Sequence, residues 1–200
     1  MNRLPENNLI KERKDISEEY KWDLSSIYES DEKWEEDVEK LENLLKDIRV
    51  FKGHIVSSSD NLLKTLEIEG EIDRTIQNLY TYAKMKLDED TTNSKYQSLS
   101  DRASSLSVKA GEAISFIVPE VLSIDKQKIN SYIESEKELK IYEHHLNEII
   151  RQKEHILSEQ EESIIAQVGE VSSSPENIYS MLNNADMKFP TIKNSEGKEI

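Results

Sequence analysis

The stretch "VSSSDNLLKTLEIEGEIDRTIQNLYTYAKMKLDEDTT", residues 56–92, decides the fold. Leu62, Leu63, Leu66, Ile72, Ile76, Leu79, Tyr80 and Ala83 return at three- and four-residue steps, with charged residues between them. That spacing lays one apolar stripe along a long helix. Ser58 or Ser59 is placed to cap its start, and "DEDTT", Asp88–Thr92, reads as the turn that follows. Gly70 inside the run costs about 1 kcal/mol against alanine, so a close helix contact is expected there.

The same periodicity recurs on both sides. Trp34, Val38, Leu41, Leu44, Leu45 and Ile48 mark a helix that follows Ser30 and stops near Gly53. Just before it, "WDLSSIY" has Asp23 as the cap of a short turn, with Trp22, Leu24, Ile27 and Tyr28 expected to pack. A third helix is expected over residues 93–117, its small residues allowing close approach to a neighbour. Pro119 ends that helix and opens the next at its first position. Asp125 caps a short helix carrying Ile129, Tyr132 and Ile133, and Leu139, Tyr142, Leu146, Ile149 and Ile150 face inward from a further one. Ser158 with Glu161 forms a capping box for a segment carrying Ile164, Ile165 and Val168. Ser174-Pro175 reads as the start of a separate helix running through Leu182.

The pattern predicts an all-α chain, a multi-helix bundle or layered array of helices. It divides into a disordered tail at 1–14, a helical domain at 15–187, and the start of another segment at 188–200. In that last piece "KFPTIKNSEGKEI" alternates, and "NSEG" reads as the turn of a short, incomplete β-hairpin. A hairpin broken off in its second strand gains little, which leads to the expectation that the polypeptide continues elsewhere or that this is a truncated product.

Composition narrows the classes of function. Of the 200 residues, 36% are hydrophobic and 34% charged, so the core is thin relative to the surface. The formal net charge of −15 lacks the basic face that nucleic acid or an anionic membrane requires. Cysteine is absent, which removes disulfides, thiolate nucleophiles and cysteine-based zinc sites. The N-terminal stretch has no apolar signal core, so a cytoplasmic location is expected.

"EHHLNEIIRQKEH", residues 143–155, is the one stretch that suggests a metal, with His144, His145 and His155 among Glu143, Glu148 and Glu154. On a single helix His144 and His155 stand roughly 16 Å apart along the axis, too far to share an ion. No His-Glu-x-x-His spacing exists. His144 or His145 with Glu148 gives two ligands, which is not a site. Asp88–Thr92 lacks the glycine and spacing of a calcium loop. No catalytic, cofactor-binding or metal-binding residue is assigned.

Taken in order, "YKWDLSSIYESDEKWEEDVEKLE", "FKG", "LYTYAKMKLDEDTTNSKYQSLSDRA", "PEVL", "YEHHLNEIIRQKEHILSEQEESIIAQVGEV" and "NIYSMLNNADMKFPTI" resemble the N-terminal region of oligoendopeptidase F. That family is similar to the thimet-type zinc oligopeptidases. The resemblance implies a helical wall or lid of a channel that admits short peptides. It also implies a zinc ion held downstream, outside this chain, by a His-Glu-x-x-His motif and a further glutamate. The implied partners are the C-terminal catalytic domain of the same polypeptide and short peptide substrates. The chain alone is expected to be inactive. The alternative is a free-standing helical module that binds peptides or proteins without catalysis.

Overall fold

The structure is a computed structural model and describes residues 13–153, Leu157, 159–187 and 192–197. Seven α-helices follow one another among the described residues: α1 (Asp31–Asp47), α2 (Ser59–Glu89), α3 (Ser94–Ile114), α4 (Ile117–Leu122), α5 (Lys126–Ser135), α6 (Glu143–Arg151) and α7 (Glu159–Met181). Short 3₁₀ turns join several of them.

The 31-residue helix α2 is the axis of the molecule. It packs along α3 on one side and α1 on the other, and it also touches α5. Its side of the core holds Leu62, Leu66, Ile72, Leu79, Tyr82 and Ala83, all buried. Trp34, Val38 and Leu41 meet it from α1, and Ala103, Leu106 and Ala110 from α3. Alanine at three positions on α3 lets the two helix axes come close.

Capping explains where the helices start. The Ser58 hydroxyl accepts from the backbone N–H of Asn61 at the head of α2. Asn93 accepts from Lys95 and Tyr96 at the head of α3. Asp125 accepts from Lys128 at the head of α5. Each side chain satisfies a backbone donor that the first helical turn leaves without a partner. Gly53 adopts φ +78° in the loop after α1, a conformation that side chains with a Cβ disfavour. The carboxylate of Glu120 on α4 accepts from Gly53 N–H and, at 3.4 Å, from Ile55 N–H, which fixes that loop on α4.

The structure differs from several expectations. Trp22 is 80% exposed rather than packed. Asp23 does cap the adjacent turn, from which Leu24 and Tyr28 are buried in the core and Ile27 packs against it. Tyr80 lies on the outer shoulder of α2 and is exposed. Gly70 meets nothing within 4 Å, so no neighbouring helix approaches there. The close approach is instead at Gly111, where an added Cβ would lie 4.0 Å from the Cβ of Ala166 on α7. Helix α3 stops at Ile114, and Pro119 sits in the first turn of α4 rather than opening it. A proline in that turn forfeits no helical hydrogen bond, because its N–H would have had no acceptor.

Two further corrections concern the C-terminal part. The separate helices expected around Ser158 and Ser174 are one continuous helix, α7, with Pro175 inside it. The incomplete β-hairpin is not formed among the described residues. The turn is present, with Gly197 N–H donating to Asn194 C=O at 2.9 Å and Gly197 at φ +78°, but among the described residues it is accompanied only by an isolated bridge position at Lys193 and by no strand ladder. Turn chemistry fixes the reversal, while a sheet needs a longer run of paired backbone than one bridge position. Residues 188–191 and 198–200 lie outside those described.

Helix α7 is turned against the usual amphipathic sense. It lies on α3, and the side nearest the core carries Gly169, Ser173, Asn177 and Ser180. The outer side carries Ile164, Val168, Val171, Ile178, Tyr179 and, just past the helix, Leu182. All six are half exposed or more. At 100° per residue they fall within one stripe.

Candidate functional site

The histidine stretch does not assemble a metal centre among the described residues. Leu146 and Ile149 bury one side of α6, and His144 and His145 stay exposed on the other. The carboxylates are already engaged in ion pairs. Glu143 pairs with Lys140 at 2.8 Å, and Glu148 with Arg151 at 2.6 Å. The Arg151 guanidinium holds the Glu148 carboxyl below the usual range. No group of three or more His, Asp or Glu is placed to hold a metal ion among the described residues. Glu154 and His155 lie outside them. The Asp88–Thr92 turn is held internally: Asp90 accepts from the N–H and the hydroxyl of Thr92, and Asp88 pairs with Lys84.

Chemistry gathers instead where α2 passes α3, α4 and α7. A cleft of about 410 Å³ is lined there by Glu69, Gly111, Ile114, Val118, Ile165 and other residues. Burial, and then the neighbouring Asp73 carboxylate, push the Glu69 carboxyl up to about 7. Burial also raises Asp73, and His145 on α6 offsets part of that rise. The Tyr142 phenol is raised by burial and by Glu67 and Glu69. A carboxyl that titrates near neutrality can donate a hydrogen bond when protonated, or pair with a cation when ionised.

Sequence reasoning missed Glu69. The signal was available: Glu69 and Asp73 are like charges at an i,i+4 spacing, which a helix disfavours unless another influence outweighs the repulsion. A second cleft, about 250 Å³, lies between α2, α3 and α7 and includes Tyr80, Lys84, Gln97, Ser100 and Ser173. The Gln97 Oε1 is buried without a hydrogen-bond partner.

Comparison with known proteins agrees with this geometry. A family model described as Oligopeptidase F matches residues 120–189, from the end of α4 through α7. Oligopeptidase PepF of Bacillus subtilis is 38% identical over 192 residues, covering 96% of this chain and 29% of the relative. Group B oligopeptidase PepB of Streptococcus agalactiae is 36% identical over 188 residues, covering 94% of this chain and 31% of the relative. The crystal structure of oligoendopeptidase-F from Enterococcus faecium superposes with a TM-score of 0.80 at 34% identity, over 85% of this chain and 33% of that one. The chain thus spans about a third of the length of the relatives it matches. An unbroken match over nearly all of its residues, in sequence and in helical fold, means that the chain belongs to the oligoendopeptidase F family and corresponds to its N-terminal region.

Proposed function

We propose that this chain is the non-catalytic N-terminal part of a zinc metalloendopeptidase that hydrolyses short peptides, and that it shapes a wall or lid of the peptide channel. One observation carries the reading: relatives with oligopeptidase names match almost the whole chain with only about a third of their own length. The helical domain of residues 15–187 is the structural unit that performs this role.

The chain's own residues do not fit a zinc site. Among the described residues no three ligands converge, and no His-Glu-x-x-His spacing occurs in the sequence. No hydrolytic step is therefore assigned to them. Zinc and the water it activates belong to the remaining two thirds of the polypeptide. The cytoplasm is the proposed location: cysteine is absent, and no helix among the described residues is long and apolar enough to cross a membrane.

The test is a quenched-fluorescent peptide assay with added zinc. The isolated chain should show no chelator-sensitive hydrolysis. Grafted in place of the matching third of Bacillus subtilis oligopeptidase PepF, it should support hydrolysis that a chelator abolishes. Zinc-dependent cleavage by the isolated chain, or an inert graft of native stability, would overturn the reading.

A further inference from the structure

The outer stripe of α7 has no covering element among the described residues, although it is the most apolar side of that helix. Ile164, Val168, Val171, Ile178, Tyr179 and Leu182 face outward. The glycine, serines and asparagine of the same helix take the inner side. A helix that settles on its own domain gains most by burying its apolar side. Displaying that side, and packing on α3 through Ala166, the edge of Ile165 and small polar residues, is the arrangement expected of a helix shared between two bodies.

We infer that this stripe is the seat of a segment from the same, longer polypeptide: the part of the relatives that has no counterpart in this chain. The segment presents an apolar face flanked by Lys or Arg. The inference rests on the reading of the chain as one part of a larger peptidase.

Area and charge select this occupant. From Ile164 to Leu182 the stripe is about 27 Å long and one helix wide, roughly 300 Å². A free-standing interface needs about 800 Å² per partner, so the stripe is too small to hold a separate protein or a second copy. A tethered segment does not meet that limit, because the linkage supplies an effective concentration in the millimolar range. A second copy is also disfavoured by charge. Residues 159–181 contain Glu159, Glu161, Glu162, Glu170 and Glu176 and no Lys or Arg. Two such helices would bring like charges together, whereas a basic rim would complement them.

The test uses the chain grafted in place of the matching third of Bacillus subtilis oligopeptidase PepF. A photoreactive benzoyl-phenylalanine is placed at Val171 or Ile178, and at Val50 as an exposed control on another part of the domain. Cross-linked peptides are then mapped by mass spectrometry. Cross-links from Val171 and Ile178 to the PepF remainder, several-fold more abundant than from Val50, are expected. Cross-links mainly between two copies, or none to the remainder from α7, would overturn the inference. If such a graft still hydrolyses peptide, the functional reading stands and only the docking surface is wrong. If α7 cross-links to the remainder and no hydrolysis is seen, the surface stands and the functional reading fails. A second measurement avoids dependence on the graft. The chain alone should bind an apolar-surface dye, and Val171→Lys with Ile178→Lys should reduce that signal several-fold at unchanged helical circular dichroism. Equal dye binding by the two would also overturn the inference.

Discussion

The indole Nε1 of Trp34 donates a 2.9 Å hydrogen bond to the backbone carbonyl of Leu79, fastening α1 to α2 inside the core. Trp34 has no exposed surface, and the Arg102 guanidinium from α3 lies 5.3 Å from its ring centroid. Arg102 in turn bonds the Glu35 carboxylate at 2.7 Å. Three helices therefore meet at one aromatic side chain.

Trp34→Phe keeps most of the apolar bulk and deletes the donor. It should cost about 1–2 kcal/mol of unfolding free energy. Trp34→Ala also opens a cavity and should cost about 3–5 kcal/mol. Urea titration followed by circular dichroism measures both, and a Trp34→Phe variant as stable as the parent would remove the hydrogen bond from the account.

Glu69 gives stability a dependence on pH. Its folded-state value near 7 lies above its ordinary 4.5, so the fold favours the protonated acid. Its contribution is complete below pH 4.5 and is lost as pH rises through 7. Glu69→Gln should therefore match the parent near pH 4.5 and exceed it at pH 7.5–8, by about 1–3 kcal/mol. Melting temperatures across that range test the sign, and a parallel offset at every pH would refute it.

The Glu120 carboxylate is the acceptor for two loop amides. Glu120→Ala leaves Gly53 and Ile55 N–H to water, and should cost about 1–2 kcal/mol. Amide exchange at these two positions should accelerate more than exchange in α2.

Pro175 interrupts the hydrogen-bond ladder of α7. Pro175→Ala restores a backbone donor in the helix interior, where proline costs about 3 kcal/mol relative to alanine. Slower amide exchange around residues 171–179 is expected, with the α1–α2 core unchanged.

Much of this was legible in the residues. The stripe of α2 was readable because Leu62, Leu66, Ile72 and Leu79 repeat at the helical period, and all four are buried. Ser58, Asn93 and Asp125 stand at helix starts because short polar side chains reach the free amides. Composition could not show which side of α7 faces the core. Periodicity finds an apolar stripe but carries no information on whether the same chain covers it. Pro175 misled as a start signal, since a proline breaks a helix only when packing does not hold the flanking turns together. The Glu69–Asp73 spacing was readable, but the burial of Glu69 was not, for a similar reason. Its apolar surroundings come from Ile114, Val118 and Ile165, which are remote in sequence. Trp22 was judged by residue type, yet the turn capped by Asp23 directs it to solvent.

The packing of α7 chiefly on α3 bears on the order of events during synthesis. A ribosome releases the chain from the N-terminus, and domains fold as they emerge. By the time α7 leaves the exit tunnel, α1, α2 and α3 can already have joined, since their shared core needs nothing from residues 159–181. Helix α7 then settles on a finished surface, with Ala166 against Gly111. It is also the first that the native protein can release, and amide exchange should be faster along α7 than along α2 and α3.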